Sequence, residues 1–427
     1  MSNLRSLSAA ELAQVSAPLE ARYEALRSRA LKLDLTRGKP CAEQLDLSNA
    51  LLDRPKSGYT ARDGSDARNY GGLDGLPEMK ALLAPLFQVP ATQIIVGGSS
   101  SLQMMHDAIV RALIHGVPGG RGPWSRRRIK FLCPSPGYDR HFAICQHFGI
   151  EMLPIELRSD GPDLESVERL LRSDPEIVGM WCVPKYSNPS GAIYSDAVVA
   201  QLARMPAAAP DFRLFWDNAY ALHTLHAEDD RLADIIAACR EAGHDNRPLV
   251  FASTSKISFA GAGVAALASS PDNIADAQRH LAIQTIGPDK LNQLRHVELY
   301  RDFAGLVTHM RRQAAILRPK FEAVQQCFAR ELGGTGLAEW TEPRGGYFVS
   351  LDTLDGCAKD VVGLADAAGV KLTAAGATFP YGRDPRDRNI RIAPSFPPLD
   401  QIRSAMEVVS VCVLLASVRK LRAERSN

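Results

Sequence analysis

The chain has 427 residues, of which 45% are hydrophobic and 23% are charged, a balance that excludes disordered and fibrous chains and suits a globular protein of two domains. Its 50 Lys and Arg residues against 48 Asp and Glu residues leave a formal charge of +2, so we expect neither a nucleic acid nor an anionic membrane as a partner. Eight scattered cysteines without C-x-x-C spacing, and no signal peptide ahead of them, predict a reduced cytoplasmic protein without a metal site. The longest apolar run, residues 408–418, is shorter than the roughly 20 residues of a membrane span, so no segment is expected to cross a bilayer.

The predicted elements begin with an amphipathic helix that starts at a capping box formed by Ser8 and Glu11. Its apolar positions are Leu12, Leu19, Tyr23, Leu26 and Leu31. Short apolar runs then alternate with helical stretches. The runs that we predict as strands are Gln93–Val96, Ile129–Cys133, Met152–Glu156, Ile177–Val183, Arg213–Asp217 and Leu249–Ser253. Such runs, separated by helices, predict an α/β fold whose mostly parallel sheet lies between helices.

The C-terminal part predicts a smaller α/β unit. A long helix over residues 305–332 precedes a strand that begins at Gly345, and a last helix follows Pro398. We therefore predict three segments. Residues 1–55 form a helix and an arm that belong to the small domain, residues 56–305 form the large domain, and residues 306–427 form the rest of the small domain.

Polar residues directly after the predicted strands are the candidates for chemistry, because ligands collect at the carboxyl ends of such strands. Gly97–Ser101 offers glycines, hydroxyls and a helix start to a phosphate dianion, although a plain helix cap explains the same residues. Asn188, in the stretch 184–191, can donate a hydrogen bond to a phenolate oxygen, although Asn-Pro-Ser-Gly is also typical of a tight turn.

Two charged residues follow the next two predicted strands. Asp217 is expected to be partly buried and so to need a cation such as a protonated pyridine, although it can also cap the next helix. Lys256, between hydroxyl residues, is expected to be partly neutral and able to form a Schiff base with an aldehyde. The alternative for Lys256 is a solvated loop.

Six longer phrases carry a resemblance to a known family. They are Thr36–Pro40, Pro136–Phe142, Lys185–Pro189, Phe215–Tyr220, Thr285–Lys290 and Ile390–Phe396. From Leu33 onward the chain resembles the fold-type I pyridoxal 5′-phosphate enzymes of the class I aminotransferase group, and it is most similar to the bacterial type Ic aspartate aminotransferases. The resemblance implies the fold of that group, a homodimer and pyridoxal 5′-phosphate as the cofactor.

The resemblance also implies roles for residues around the cofactor ring. Lys256 matches the lysine that binds the cofactor and moves the substrate proton, and Asp217 matches the carboxylate that keeps the pyridine nitrogen protonated. Asn188 and Tyr220 match the donors to the ring 3′-oxygen. Tyr138 matches the aromatic residue that stacks on the ring. The catalytic residues implied are thus Lys256, Asp217 and Tyr220.

Further matches concern the phosphate and the substrate. The matches to the phosphate site are Ser100, Ser101, Ser253 and Ser255, together with Tyr70, which reaches the phosphate of the neighbouring subunit. Arg391 matches the arginine that holds the substrate α-carboxylate, and Gly38 matches the backbone that closes over it. Val264 departs from the family, whose members place a phosphate-neutralising arginine eight residues after the lysine.

The function implied is ping-pong transamination through pyridoxamine phosphate, from aspartate and 2-oxoglutarate to oxaloacetate and glutamate. The second carboxylate of these substrates needs another cation, for which we rank Arg37 first, Lys290 second and Lys39 third. The alternatives are a transaminase for aromatic amino acids or kynurenine, a pyridoxal phosphate lyase and, remotely, the ligand-sensing domain of a transcription regulator. Only about 35 residues precede Thr36, which is too few for the winged helix of such regulators.

Overall fold

The computed structural model describes residues 3–426, which form one large mixed sheet flanked by helices and two small sheets. The strands are β1 (Leu33–Asp34), β2 (Ile94–Val96), β3 (Lys130–Ser135), β4 (Glu151–Arg158), β5 (Gly161–Pro162), β6 (Ile177–Cys182), β7 (Arg213–Asp217), β8 (Pro248–Ser253), β9 (Ala265–Ser269), β10 (Ala338–Trp340), β11 (Val349–Thr353), β12 (Val370–Lys371) and β13 (Asn389–Ile392). The α-helices are α1 (Ala9–Arg27), α2 (Ala42–Asp46), α3 (Pro77–Phe87), α4 (Ser101–His115), α5 (Asp139–His147), α6 (Leu164–Ser173), α7 (Asp196–Arg204), α8 (Ile235–Glu241), α9 (Pro271–Gln284), α10 (Lys290–Tyr300), α11 (Phe303–Glu331), α12 (Ala358–Ala367) and α13 (Leu399–Ser426). Short 3-10 helices lie at Leu4–Ser6, Asn49–Leu51, Ala91–Gln93, Trp124–Arg126, Thr254–Lys256 and Pro380–Gly382.

The large sheet has the strand order β2-β9-β8-β7-β6-β3-β4-β5. The strands β8, β7, β6, β3 and β4 pair in parallel, and β2 runs the same way because both β2 and β8 are antiparallel to β9. The predicted α/β fold with a mostly parallel sheet is confirmed. The sequence did not predict β9, because its Ala-Ala-Leu-Ala-Ser run lacks the β-branched and aromatic residues typical of strands.

Both faces of this sheet are buried, which explains the almost wholly apolar strands. Along β7, Leu214 and Trp216 face one hydrophobic core while Phe215 faces the other, because successive side chains in a strand point to opposite faces. The core on the Phe215 side includes residues of α4, α5 and α9, and the opposite core includes residues of α3, α7 and α10. The sheet is thus a rigid layer whose carboxyl edge can hold side chains at fixed positions.

A third core joins the two ends of the chain. It combines residues of α1, the C-terminal half of α11, α12 and α13 with those of β11 and β13.

The capping box of Ser8 and Glu11 is confirmed, but α1 ends at Arg27, so Leu31 lies beyond it. Within residues 3–426, α13 is the one helix apolar and long enough to cross a membrane, and 78% of its most apolar window is buried in the protein. The domain limits at residues 55 and 305 stay a prediction.

Helix α10 supports the turn that follows β8. The backbone N–H of Val264 donates to Thr254 Oγ1 (2.9 Å), and the hydroxyls of Thr254 and Ser258 lie 3.1 and 2.7 Å from His296 Nε2. His296 Nδ1 lies 2.7 Å from the carbonyl oxygen of Asn292, which can only accept, so Nδ1 carries the proton. Burial lowers the pKa of His296 from 6.5 to about 4, so this histidine is neutral in the folded protein at pH 7.

The low pKa of His296 predicts a loss of stability in mild acid. Below about pH 6.5 the unfolded chain binds a proton at this residue, whereas the folded protein does not until about pH 4. The free energy of unfolding should therefore fall by about 1.4 kcal/mol per pH unit across that interval from this group alone. Thermal unfolding at several pH values should show a shallower dependence in His296→Gln than in the wild type. His226→Gln, at an exposed position, is the control, and an equal slope in all three proteins would contradict the prediction.

Candidate active site

A cavity of about 710 Å³ opens at the carboxyl edge of the large sheet. Its walls come from the ends of several large-sheet strands, from the segment 36–40, from residues 372–374 and from β13. The predicted site residues that line it are Gly38, Arg37, Lys39, Ser100, Ser101, Tyr138, Asn188, Asp217, Tyr220, Ser255, Lys256 and Arg391. Ser253, Tyr70 and Lys290 do not line it. Twelve of the predicted residues, from seven separate parts of the chain, therefore meet in one cavity.

Asp217 ends β7 and is only 2% exposed. Its Oδ2 lies 3.1 Å from His141 Nε2, and the imidazole of His141 stacks on Trp181 with ring centroids 4.2 Å apart. Its Oδ1 is buried without a hydrogen-bond partner among the described residues. A buried carboxylate with an unsatisfied oxygen is costly, so this position favours a ligand that brings an N–H group and positive charge. His141 was not predicted, although it lies three residues after Tyr138 and so on the same side of α5.

Lys256 lies in the 3-10 turn that directly follows β8, the strand next to β7. Burial lowers the pKa of the Lys256 ammonium, and the charge of Asp217 partly opposes this shift. The ammonium nitrogen lies 5.0 Å from the centroid of the Tyr220 ring. A lysine with a lowered pKa has a larger neutral fraction at pH 7 and is a better nucleophile toward an aldehyde.

The backbone around Lys256 is held by buried side chains from distant segments. The carbonyl oxygen of Lys256 lies 3.2 Å from Tyr347 Oη, which donates to it, and 3.2 Å from His223 Nε2. Burial lowers the pKa of His223 to about 3, so this imidazole is neutral and donates through Nε2. The next carbonyl oxygen, of Ile257, accepts from Gln313 and lies 2.8 Å from His309 Nε2. No sequence pattern indicated these partners, and together they fix the origin of the Lys256 side chain.

Hydroxyl groups and a helix start form one end of the cavity. Ser100 is the N-cap of α4 and accepts from the backbone N–H of Gln103 (3.3 Å), so it caps the helix, and its hydroxyl can still donate a hydrogen bond to an anion. Ser255 Oγ lies 2.7 Å from Ser253 Oγ, which places Ser253 just behind the lining. A Cβ on Gly263 would lie 2.7 Å from the carbonyl oxygen of Ser99, so only glycine fits there. A helix N-terminus with hydroxyls around it suits a phosphate.

Arg391 lies on β13 with its side chain 6% exposed. Its Nη1 contacts Asp139 Oδ1 at 2.8 Å, and its Nη2 donates to Thr373 Oγ1 (3.3 Å) and to the carbonyl oxygen of Thr36 (3.4 Å). The guanidinium lies 4.9 Å from the centroid of the Phe348 ring. The pair with Asp139 was not predicted.

Gly38 lies beside the same aromatic ring. A Cβ built on Gly38 would lie 2.4 Å from the nearest carbon of Phe348, so any side chain here would displace the ring. Glycine at this position therefore lets the backbone of the segment 36–40 come close to the cavity.

Three further side chains present hydrogen-bond donors or an aromatic face. Burial and the charge of Asp217 raise the pKa of Tyr138 to about 12, and its ring lies edge-on to His141 at 5.0 Å. Burial raises the pKa of Tyr220 well above its ordinary value, so its hydroxyl remains protonated at pH 7. Asn188 is 3% exposed, and its Oδ1 accepts from Arg391 Nη1 at 3.5 Å, which leaves its amide N–H groups as donors.

Of the other residues singled out in the sequence, two cations line the cavity and the rest lie outside it. Arg37 and Lys39 are exposed at the cavity wall, where the Lys39 ammonium lies 3.9 Å from the centroid of the Phe396 ring. Lys290 is buried outside the cavity and donates to the carbonyl oxygen of Gly71 at 2.5 Å. Tyr70, next to that glycine, is 80% exposed and does not line the cavity of its own chain. Val264 is 3% exposed and brings no cation to the hydroxyl-rich end.

Comparison with known proteins identifies the family. A family model described as aspartate amino-transferase matches residues 7–425. A Mycolicibacterium smegmatis protein named as an aminotransferase is 52% identical over 407 residues, 94% of this chain and 95% of that one. An aspartate aminotransferase of Corynebacterium glutamicum is 45% identical over 401 residues, 93% of each chain. The crystal structure of an aspartate transaminase from Corynebacterium glutamicum superposes with a TM-score of 0.96 at 44% identity and covers 98% of this chain and 99% of that one. The chain therefore belongs to the aspartate aminotransferase family and is a class I aminotransferase of fold type I.

Proposed function

We propose that this aminotransferase moves the amino group of L-aspartate to 2-oxoglutarate, giving oxaloacetate and glutamate, with pyridoxal 5′-phosphate as its cofactor. The observation that carries the proposal is the pairing, in one cavity, of a buried carboxylate that lacks a partner for one oxygen with a lysine of lowered pKa. The name of the Corynebacterium glutamicum relative supports aspartate as the amino donor.

The residues present fit this cofactor. Asp217 Oδ1 would accept from the protonated ring nitrogen, Asn188 and Tyr220 would donate to the ring 3′-oxygen, and Tyr138 would cover a ring face. Ser100, Ser101, Ser253 and Ser255 would bind the phosphate. When bound, pyridoxal phosphate supplies an aldehyde that captures amines and a protonated ring that withdraws electrons from the substrate α-carbon.

The protein's own groups position the substrate and move its proton. Arg391 holds the α-carboxylate, and the backbone of Gly38 closes beside it. Lys256 Nζ, partly neutral through burial, would take the proton from the α-carbon of the donor amino acid and give it to the cofactor carbon C4′, and it would move a proton in the opposite direction when the acceptor 2-oxo acid becomes an amino acid. Because Tyr220 keeps its proton and Asn188 keeps free N–H groups, both remain hydrogen-bond donors throughout the reaction.

The distal carboxylate of a dicarboxylic substrate needs a second cation, and Arg37 is the first candidate. It lines the cavity, and no ion pair within residues 3–426 occupies it. Lys290 is buried outside this cavity and donates to the carbonyl oxygen of Gly71, whose backbone N–H donates to the carbonyl oxygen of Ile286 (3.2 Å). Tyr70, next to Gly71, and Ile286 are exposed by 80% and 62%, so they form a surface beside Lys290. We propose that this surface meets a second copy of the chain, so that Tyr70 and Lys290 complete the partner's site in a homodimer.

We also propose that the enzyme is cytoplasmic and acts on small amino and 2-oxo acids alone. All eight cysteines are buried free thiols, which suits a reducing compartment.

The first test of the proposal concerns Lys256. Borohydride reduction of the purified enzyme should attach a pyridoxyl group to the peptide that contains Lys256, and mass spectrometry should locate it. Lys256→Ala should bind no cofactor covalently and should lose transamination, while Lys39→Ala, at another cavity lysine, should still be labelled at Lys256. A label on any other lysine in the wild type would contradict the assignment.

The second test concerns Asp217. Asp217→Asn keeps the size of the side chain and removes its charge, so the cofactor ring nitrogen should lose its proton. The turnover rate should fall by at least roughly three powers of ten, about 4 kcal/mol of activation free energy. The thermal midpoint of the cofactor-free variant should stay equal or rise, because an incompletely paired buried charge has been removed. Transamination within a few-fold of the wild type would disprove the role.

The third test concerns the distal carboxylate. At least one of Arg37→Ala and Lys290→Ala should lower kcat/KM for aspartate by about 2 kcal/mol or more, roughly thirtyfold, because a desolvated charge pair is truncated. The loss for phenylalanine or alanine should be much smaller. Arg140→Ala is a matched control, since this exposed arginine also lines the cavity. Equal losses for charged and uncharged donors would show a structural role, and a wild type that prefers phenylalanine or kynurenine would support the aromatic alternative.

A further inference from the structure

We propose that Asp139 acts as an internal occupant of the substrate-carboxylate site: it pairs with Arg391 in the free enzyme and leaves when a substrate carboxylate arrives. The inference rests on the proposed function in one respect, namely that Arg391 binds the α-carboxylate. It adds a residue that sets the affinity of the enzyme for its substrates by competing with them.

The competition follows from the hydrogen bonds of Arg391. Its Nη1 is taken by Asp139 (2.8 Å) and Asn188 (3.5 Å), and its Nη2 by Thr373 and Thr36. A substrate carboxylate that binds both Nη atoms must therefore replace some of these partners. Asp139 is the one anionic partner among them, so it competes for the same charge.

The two members of the ion pair differ in their ability to move. The Arg391 side chain is 6% exposed and lies on β13, which pairs with β11, whereas the Asp139 side chain is 33% exposed at the first position of α5. Asp139 can therefore turn toward water by side-chain rotation alone, while its backbone stays in the helix.

A competing internal group has a simple thermodynamic signature. A carboxylate ligand can bind Arg391 only in those free enzyme molecules in which Asp139 has left the arginine. Its apparent dissociation constant is therefore the intrinsic constant divided by the fraction of such molecules. The factor is the same for every ligand that binds Arg391, whether it carries one carboxylate or two. A general effect of negative charge in the cavity would instead weigh more on a dianion than on a monoanion.

The experiment measures binding of unreactive carboxylates to the purified holoenzyme by calorimetry, with succinate as the dianion and propionate as the monoanion. Asp139→Asn should tighten both by a similar factor, roughly tenfold. Asp139→Ser should tighten both ligands by a similar factor. This variant serves as a check because the amide introduced by Asp139→Asn could still contact Arg391, whereas the shorter serine could not reach it. Asp34→Asn is the matched charge control: Asp34 is exposed, and its pKa is lowered first by the Thr36 hydroxyl and also by the nearby charge of Lys39. It should change either affinity by less than twofold.

Four results would overturn the inference. Weaker binding in Asp139→Asn would show that Asp139 positions Arg391 for the substrate instead of competing with it. A gain for succinate much larger than for propionate, or an equal gain in Asp34→Asn, would assign the effect to the general field of the cavity. Unchanged binding in Arg391→Gln would disprove the role of Arg391 itself and hence the substrate-binding part of the proposed function, whereas failure of the Asp139 variants alone leaves that part intact.

Discussion

A carboxylate that is almost completely withdrawn from water at the end of β7 is the constraint on which the site depends. Asp217 has one oxygen beside His141 and the other without a partner, and it lies on the strand adjacent to the one that carries Lys256. Burial favours a neutral amine at Lys256, whereas the negative charge of Asp217 favours the ammonium, so the two groups have opposing requirements. A cationic ligand bound to Asp217 satisfies the carboxylate and also removes the attraction that keeps the lysine protonated.

The surroundings of Lys256 meet this constraint without adding charge. Tyr347 and the neutral His223 form hydrogen bonds to the carbonyl oxygen of Lys256. The neutral His296 contacts the hydroxyl of Thr254, in the same turn. Charged donors at these buried positions would each need a counter-ion and would shift the pKa of the lysine further. Neutral imidazole, phenol and hydroxyl groups fix the same backbone positions without a charge. The two buried imidazoles also make the folded state sensitive to acid, because burial lowers the pKa of each.

The sequence predicted the parts of this arrangement that follow from strand geometry. An apolar run that ends in Asp217, and a neighbouring run followed by Lys256, must bring both residues to one edge of a parallel sheet. Their partners could not be predicted in the same way, because Tyr347 is 91 residues from Lys256 and Asp139 is 252 residues from Arg391. Hydrophobic periodicity assigns a residue to a face of an element but does not specify which distant side chain it meets. The strand β9 was missed for a different reason, since alanine and serine carry little strand preference.

The two charged centres of the cavity differ at the atoms that would meet a ligand: within residues 3–426, Asp217 lacks a partner at one carboxylate oxygen, whereas Arg391 lacks one at Nε but has partners at both Nη atoms. The difference matches how long each ligand stays. Asp217 is left with an unsatisfied oxygen, which favours an occupant that stays, as a cofactor does. Arg391 is satisfied on both Nη atoms by groups of the protein, including the carboxylate of Asp139. In a ping-pong reaction this arginine must release a product and accept a new substrate in every half-reaction, and a buried guanidinium without a counter-ion would be unstable in between. An internal carboxylate at Asp139 weakens substrate binding, but it stabilises the empty site and favours product release.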